Sequence, residues 1–287
     1  MTPKTILITG ASSGIGRDAA LALAKAGHRV FAAARRVAAL EALRVQAPPG
    51  LAIEALHLDL DSPASIAEAA ATIAARTDGY GVDVLVNNAG FATAGALAEL
   101  SDAALRAQFE TNVFGTMALT RALLPAMISR GAGRVINVSS VSGRIPAPIL
   151  GAYHASKYAV EALSDALRME LQPFGIQVVL VEPGTIRTEF ASRAMTEATR
   201  DRSTGSRYAK VYDRAATLEA RFDRLAGGTR PVVRAIERAI MRRRPSARYV
   251  APRTFALMIA LVRILPTCWA DAAMQRMFGL TRKQLGA

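Results

Sequence analysis

The chain contains very little cysteine: Cys268 is the single one among 287 residues. This count excludes an internal disulfide and is typical of proteins in a reducing compartment. A lone cysteine without a histidine beside it is expected to be a buried, unreactive thiol. We therefore expect a cytoplasmic protein that depends on its hydrophobic core, for which half of the residues are suitable.

Histidines and long hydrophobic runs are also scarce. The three histidines are isolated, and no group of His, Cys, Asp or Glu residues has the spacing of metal ligands, so we expect no metal. The longest apolar stretch, 255–265, is interrupted by Arg263. It is shorter than the helix of about 20 residues that crosses a bilayer. The sequence therefore argues against a metalloenzyme and against a membrane-spanning protein.

Acidic residues are few in the last third of the chain. Residues 1–189 hold 16 basic and 16 acidic residues, whereas residues 190–287 hold 20 and 7, so the whole net charge of +13 lies there. Such a region faces an anionic lipid, an acidic surface, a phosphorylated ligand or only solvent. The run 242–244, three arginines, together with 255–265 would suit peripheral membrane contact. No nucleic-acid partner is expected.

Strand-like and helix-like segments alternate over the first 190 residues. The strand-like segments are short, apolar and β-branched: 6–9, 30–34, 53–58, 82–86, 134–138 and 177–181. Segments between them, such as 15–26 and 64–75, carry apolar residues at helical spacing. This alternation predicts an α/β fold, a Rossmann-type doubly wound parallel sheet of about seven strands with helices on both faces and extra C-terminal helices.

The pattern changes after residue 190. Residues 191–225 carry apolar side chains at three- and four-residue steps, which indicates one apolar helical face. Further helices are predicted over 231–243, 254–265 and 271–278, and a final strand over 248–250. We expect a single domain, 1–287, divided into a cofactor and catalytic core at 4–190, a substrate lid at 190–228 and a C-terminal helical extension at 229–287.

A glycine-rich turn joins the first strand to the first helix. Its residues are Gly10, Ser12, Ser13, Gly14, Ile15 and Gly16. Glycines there let the backbone turn tightly and approach a pyrophosphate, and the helix N-terminus offers free N–H groups. The spacing is G-x-x-x-G-x-G rather than G-x-G-x-x-G. The strand–turn–helix context nevertheless predicts a dinucleotide site.

Two arginines end the second strand, where a protein that binds NAD normally carries an acid for the ribose hydroxyls. Arg35 and Arg36 stand at that place. Their planar guanidinium groups suit a 2′-phosphate, which a carboxylate would repel. The sequence therefore favours NADP(H) over NAD(H).

Tyr153 and Lys157 are four residues apart, so a helix would present both side chains on one face. A phenol has a reference pKa near 10, and a neighbouring ammonium lowers the pKa toward the range useful for acid–base catalysis. Ser140 follows a predicted strand at the edge where open α/β sheets bind ligands. Its hydroxyl would polarise a carbonyl, with Ser139 and Ser142 as competing candidates.

The motifs together resemble the short-chain dehydrogenase/reductase family, single-domain type. The matching segments span 5–190: the turn 9–16 (TGASSGIG), Asp59-Leu60, Asn87-Asn88-Ala89-Gly90, Asn112, Ser140, Tyr153, Lys157, and Pro183-Gly184 followed by Ile186 and Thr188. The helices after Arg253 resemble the C-terminal extensions of steroid- and retinoid-type members.

The resemblance implies roles for these residues. Tyr153 would exchange a proton with the substrate oxygen, Lys157 would lower the pKa of that phenol and bind the nicotinamide ribose, and Ser140 would orient the substrate. Asn112 would hold a water in a proton relay. The resemblance places the adenine at Asp59 and Leu60, and the cofactor also along Asn88, Ala89 and Gly90. It places the nicotinamide amide at Pro183, Gly184, Ile186 and Thr188.

The expected activity is NADP(H)-dependent hydride transfer between the nicotinamide and a ketone or alcohol. An apolar substrate of steroid, retinoid or long-chain type is one interpretation, since the apolar face of 191–225 would close over it. An anionic ketone, such as a phosphate ester or acyl thioester, and a non-catalytic NADP(H) sensor are alternatives. Members of this family commonly pair the helices that correspond to regions 101–129 and 152–172. The resemblance therefore implies a homodimer or homotetramer.

Overall fold

The computed structural model describes residues 2–187, 205–214 and 226–285. Its centre is a sheet of seven parallel strands in the order β3-β2-β1-β4-β5-β6-β7. The strands are β1 (Thr5–Thr9), β2 (Arg29–Ala34), β3 (Ile53–His57), β4 (Val84–Asn87), β5 (Gly133–Val138), β6 (Ile176–Pro183) and β7 (Arg248–Ala251). The predicted doubly wound parallel sheet is confirmed.

Helices connect the strands and extend the chain beyond them. They are α1 (Gly14–Lys25), α2 (Val37–Gln46), α3 (Pro63–Arg76), α4 (Asp102–Phe109), α5 (Thr116–Arg130), α6 (Gly151–Leu171), α7 (Ala209–Asp213), α8 (Arg230–Met241), α9 (Thr254–Ile264), α10 (Thr267–Phe278) and α11 (Arg282–Leu285). A π-helical turn, Glu110–Gly115, joins α4 to α5.

The helices cover both faces of the sheet. Buried residues of α1, α2 and α8 form one core with the sheet, and those of α3, α5 and α6 form another on the opposite face. Ile6, Leu7 and Ile8 of β1 are all fully buried because consecutive side chains enter opposite cores. Each such side chain contributes roughly 1.5–3 kcal/mol to stability through its burial.

The C-terminal extension differs from the prediction in two details. Helix α10 begins at Thr267, four residues before the predicted start, because Pro266 ends the preceding turn and α10 starts directly after it. Cys268 is exposed on α10, so the expectation of a buried thiol is wrong. Phe278 is the buried residue of this helix, which leaves Cys268 on the outer surface.

The basic run 242–244 and the apolar helix α9 lie at opposite edges of the sheet. The run precedes β7 at its amino end, whereas α9 follows its carboxyl end, and a strand of four residues is about 13 Å long. Peripheral membrane contact by these two segments stays a prediction. The predicted helical face at 191–225 lies mostly outside the described residues, which retain only α7 from it.

Within the described ranges, no helix is long and apolar enough to cross a membrane. The same ranges contain no cluster of His, Cys, Asp or Glu residues that could hold a metal ion.

Candidate active site

The glycine turn is packed too tightly to accept side chains. Gly10 and Gly14 have φ angles of +67° and +54°, which favour glycine. A Cβ added at Gly16 would stand 2.4 Å from the Gly10 carbonyl oxygen and 2.5 Å from Asn88 Nδ2. The first turn of α1 therefore lies directly against the glycine turn and the loop after β4.

Thr9 joins the end of β1 to the loop after β4, a role that the sequence analysis missed. Its hydroxyl accepts hydrogen bonds from the backbone N–H groups of Asn88 at 3.0 Å and Ala89 at 2.9 Å. Asn88 in return donates from Nδ2 to the Thr9 carbonyl at 3.0 Å. The position of a threonine at the last residue of β1 was the available signal.

The N-terminus of α1 fits the phosphates of a dinucleotide. Ser13, the residue before the helix, makes no capping hydrogen bond with its side chain, and no acid lies in the first turn. A cavity of about 460 Å³ beside this turn is lined by Ser12, Ser13 and the cations Arg17 and Arg187, among others. Uncapped N–H groups and two nearby cations are suited to an anionic group.

Arg35 and Arg36 directly follow β2, and Arg36 contacts the glycine turn. Arg36 donates to the Ser12 hydroxyl at 3.4 Å, and Arg35 lies 4.0 Å from the carboxylate of Asp61. The Arg35 side chain is 67% exposed, so this ion pair leaves its guanidinium accessible. Asp59 and Leu60 follow β3 at the same edge, and Leu60 is buried.

Asn112 lies in the π-helical turn between α4 and α5 and is buried. Its Oδ1 accepts from Phe91 N at 3.1 Å, and its Nδ2 donates to Phe91 O at 3.0 Å and Ser156 Oγ at 3.1 Å. The side chain therefore ties the segment after Gly90 to helix α6. Both Nδ2 hydrogens are donated to protein partners, whereas Oδ1 accepts one hydrogen bond and keeps a second lone pair. The water relay that the resemblance implies stays a prediction.

Tyr153 and Ser140 are brought together at the carboxyl edge of the sheet. Both side chains are buried, and a hydrogen bond between them acts to lower the pKa of the phenol. Burial acts in the opposite direction and dominates, so the pKa of Tyr153 rises to about 12. The lowered pKa that the sequence predicts is therefore not found in this structure, because desolvation outweighs the stabilisation of the phenolate.

Lys157 follows Tyr153 by one turn of α6 and is also buried. Its Nζ donates to the Val138 carbonyl at 2.9 Å and lies 5.9 Å from the centre of the Tyr153 ring. Burial lowers the pKa of Lys157 to about 8, while the charge of Glu161 acts to raise it. The predicted pair is thus on one helix face, with the ammonium anchored to the end of β5.

Glu161 belongs to a buried charge network that sequence reasoning missed. Arg248 bridges Glu161 at 3.1 Å and Glu182 at 3.1 Å, and Arg144 contacts Glu182 at 2.8 Å. Burial, with the nearby charge of Glu182, raises the pKa of Glu161 to about 7. The four-residue step from Lys157 to Glu161 was the signal that could have revealed it.

The segment after β6 borders the same edge. Gly184 packs against the ring of Phe255 so closely that an added Cβ would stand 2.3 Å from a ring carbon. Ile186 pairs with Gly227 in a parallel bridge, which brings the start of the extension to this edge. Thr188 lies outside the described residues.

Tyr153 belongs to a buried apolar cluster that we call the apolar wall. Its other buried members come from the loop after β4, from the segment before α6, from α7 and from α10: Ala92, Ala94, Ala96, Ile149, Val211, Tyr212 and Phe278. His154 is buried beside it and its Nδ1 is 2.7 Å from the Ile145 carbonyl oxygen, which indicates a structural role. The wall gives the phenol a dry environment.

Comparisons with known proteins agree with this architecture. A family model described as short chain dehydrogenase matches residues 4–199. The chain is 42% identical over 275 residues to an uncharacterized oxidoreductase, YbbO, of Escherichia coli (strain K12), covering 95% of this chain and 94% of that protein.

Two solved structures illustrate the fold and its ligands. A short-chain dehydrogenase from Sphingobium yanoikuyae in complex with NADPH has a TM-score of 0.70 and 30% identity, covering 92% of this chain and 96% of its own. A short chain dehydrogenase/reductase from Burkholderia phymatum in complex with NAD has a TM-score of 0.78 and 25% identity, covering 91% and 93%. The neighbours thus include both forms of the nicotinamide cofactor.

Proposed function

Because the chain belongs to the short-chain dehydrogenase/reductase family, we propose that it transfers a hydride between a nicotinamide cofactor and a ketone or alcohol, with Tyr153 as the acid/base. The observation that carries this proposal is the arrangement of Tyr153, Ser140 and Lys157. Tyr153 and Lys157 share one face of α6, Ser140 is hydrogen-bonded to Tyr153, and all three lie at the carboxyl end of β5. Ligands of open α/β sheets bind at this edge.

The side chains of the site have distinct tasks. A bound cofactor supplies the hydride. Tyr153 gives its phenolic proton to the carbonyl oxygen of the substrate as negative charge develops there, and Ser140 holds the same oxygen by a hydrogen bond. In the oxidation direction the phenolate takes the proton back.

The protonation state of the site is the one that a carbonyl reduction begins from. Burial raises the pKa of Tyr153 to about 12, so the phenol holds its proton at neutral pH. Lys157, with a pKa of about 8, is mostly charged at pH 7 and would stabilise the phenolate that forms after proton transfer. The pair is therefore suited to the start of a carbonyl reduction.

We propose NADP(H) as the cofactor. Arg35 is accessible at the end of β2, and Arg36 reaches the glycine turn through Ser12. Two guanidinium groups at this place would neutralise a 2′-phosphate with charge-assisted hydrogen bonds. The uncapped start of α1 would receive the pyrophosphate.

The substrate class that fits best is an apolar ketone or alcohol. The surroundings of Tyr153 are alanines, aliphatic side chains and Phe278, which bind apolar molecules by excluding water. Helix α7, part of the predicted lid, contributes Val211 and Tyr212 to this wall.

The test is the exchange of Tyr153 for Phe, assayed with NADPH against a panel of sterols, retinoids, long-chain ketones and acyl thioesters. We expect kcat to fall by about 10²–10⁴ while NADPH binding, followed by calorimetry, stays within about twofold. Tyr80→Phe, which removes an exposed phenol that donates to Asp83 far from the site, is the matched control. Full turnover by the Tyr153 variant would refute the role of this phenol.

A further inference from the structure

Helices α9 and α10 present large apolar side chains to solvent. Leu257, Met258, Leu261 and Ile264 of α9 are 76%, 40%, 54% and 80% exposed, and Trp269 at the start of α10 is 66% exposed. We call these five residues the hairpin surface. Isolated exposed apolar residues are common, but a contiguous group on consecutive turns marks a surface that binds a partner.

The exposed side of α9 is wide. At 100° per residue, the positions of Met258, Leu261, Leu257 and Ile264 spread over about 120° of the helix circumference. Ile259 is the buried residue of this helix and lies outside that arc. Helix α9 therefore turns its apolar side outward, the reverse of a helix that only covers a core.

Basic residues predominate in the part of the chain that carries the hairpin surface. Between residues 253 and 285 the chain carries Arg253, Arg263, Arg276, Arg282 and Lys283, all exposed, against a single acid, Asp271. Arg253 precedes α9 and Arg263 lies in its last turn. We call these five cations the rim of the hairpin surface, and they make this part of the chain strongly basic.

We propose that the hairpin surface docks the protein on an anionic lipid membrane. Apolar side chains would enter the boundary between headgroups and acyl chains, while the arginines would pair with lipid phosphates from the rim. Trp269 is of the residue type that prefers this boundary. Helix α9, with 11 residues, is about 16 Å long, so it lies in the plane of the interface rather than across the bilayer.

Charge favours a membrane over a second copy of the chain. A copy docked through the same surface would bring two cationic rims together, and like charges across an interface oppose association. An anionic bilayer offers acyl chains to the apolar face and phosphates to the cationic rim. The occupant that complements every exposed group of the hairpin surface is therefore a lipid surface.

The hairpin is also connected to the active site. Phe255 in the first turn of α9 packs on Gly184, and Phe278 at the end of α10 belongs to the wall around Tyr153. A docked hairpin would therefore hold the apolar wall close to the acyl chains. This consequence rests on the proposed function, because it assumes an apolar substrate that dissolves in the bilayer.

The docking is tested by flotation of the full chain with vesicles of phosphatidylcholine alone or of three parts phosphatidylcholine to one part phosphatidylglycerol. We expect at least about tenfold stronger binding to the anionic vesicles, weakened by added salt. Trp269 is the single tryptophan of the chain, so its emission reports on the hairpin. It should shift to shorter wavelength with the anionic vesicles.

A matched pair of variants locates the contact. Leu257→Glu and Val45→Glu alter side chains that are 76% and 77% exposed, the second on α2. We expect Leu257→Glu to lower binding at least about fivefold and Val45→Glu to leave it unchanged. Circular dichroism and the thermal midpoint show that both variants are folded.

The proposal would be overturned by an absence of flotation with anionic vesicles, by equal binding of both variants, or by dimers that Leu257→Glu dissociates without vesicles. A blue-shifted emission of Trp269 in buffer that acrylamide does not quench would also overturn it, since another part of the chain would then cover the surface. Flotation does not depend on turnover, and turnover of a water-soluble ketone does not depend on vesicles. Failure of the docking and failure of the proposed function are therefore separate results.

Discussion

At the scale of single residues, the carboxylate of Glu161 controls the environment of Lys157. It lies one turn further along α6, and its negative charge acts to raise the lysine pKa. Glu182 and Arg248 face it from β6 and β7, Ser139 faces it after β5, and Arg144 pairs with Glu182. The protonation of Lys157 therefore depends on a network that touches neither the glycine turn nor the phenol.

We expect Glu161→Gln to move the alkaline limb of the kcat profile to lower pH by about half a unit to one unit. Without the negative charge, the pKa of Lys157 falls further, so the ammonium is lost earlier as pH rises. Asp165→Asn is the control, since Asp165 also contacts Arg248 at 2.5 Å but lies one turn further from Lys157. An unchanged profile in the Glu161 variant would separate the network from catalysis.

The same carboxyl makes stability depend on pH. Its pKa is raised to about 7 in the folded protein, so the stability it contributes is fully present below about pH 4 and is lost as pH rises through 7. Between pH 5 and 8 the free energy of unfolding should fall by about 1–2 kcal/mol more in the parent protein than in the Glu161→Gln variant. Denaturant titrations across this range measure the slope.

Arg35 determines the cofactor preference in the proposed function. We expect Arg35→Asp to shift the ratio of kcat/KM for NADPH over NADH by about 10- to 100-fold toward NADH, because a carboxylate repels the 2′-phosphate. Arg44→Asp, which changes an exposed arginine of α2 paired with Glu41, should leave the ratio unchanged. A ratio that is equal in both variants would remove Arg35 from this role.

Single-residue chemistry was only partly predictable. The placement of Tyr153, Lys157 and Ser140 follows from helical spacing and from the edge of the sheet, and the structure brings them together. The raised pKa of Tyr153 was not foreseen, because it depends on burial by α7 and α10, which are remote in sequence. Glu182 was missed for a similar reason: its partners come from other elements.

At the scale of elements, the contact between α1 and the loop after β4 requires Gly16. Gly16→Ala would place a Cβ 2.4 Å from a backbone oxygen that cannot rotate away. We expect a loss of about 1–3 kcal/mol in stability and weaker NADPH binding. Gly228→Ala, where an added Cβ meets nothing within 4 Å, is the control for both measurements. Equal stability of the two variants would show that α1 can shift.

The positions of the core strands and helices were well predicted, because the spacing of their apolar residues and their amino-acid composition indicate the same type of element. Strand β1 contains the apolar run Ile6, Leu7 and Ile8, and α1 shows one apolar face, so local pattern and burial indicate the same structure. The π-helical turn at Glu110–Gly115 was not predicted. A π-helical turn contains one extra residue, and the local amino-acid composition does not reveal it. Here hydrogen bonds of Asn112 to Phe91 and Ser156 hold the turn.

At the scale of the whole molecule, we expect a homodimer or homotetramer formed through α4, α5 and α6. The π-helical turn between α4 and α5 exposes Phe114 at 57%, and α6 exposes Tyr158 at 41% and Met169 at 65%. Phe114→Glu combined with Met169→Glu should shift the sedimentation coefficient toward the monomer, because buried charges oppose association. Val45→Glu serves as the control. A monomeric parent protein would refute the assembly.

The exposed thiol of Cys268 has a practical consequence. Because it is the single cysteine and adjoins Trp269, a maleimide reagent would attach at one known point on α10. A spin label there would measure immersion depth by its accessibility to oxygen and nickel chelates. The chain thus carries its own reporter of orientation, without any engineered residue.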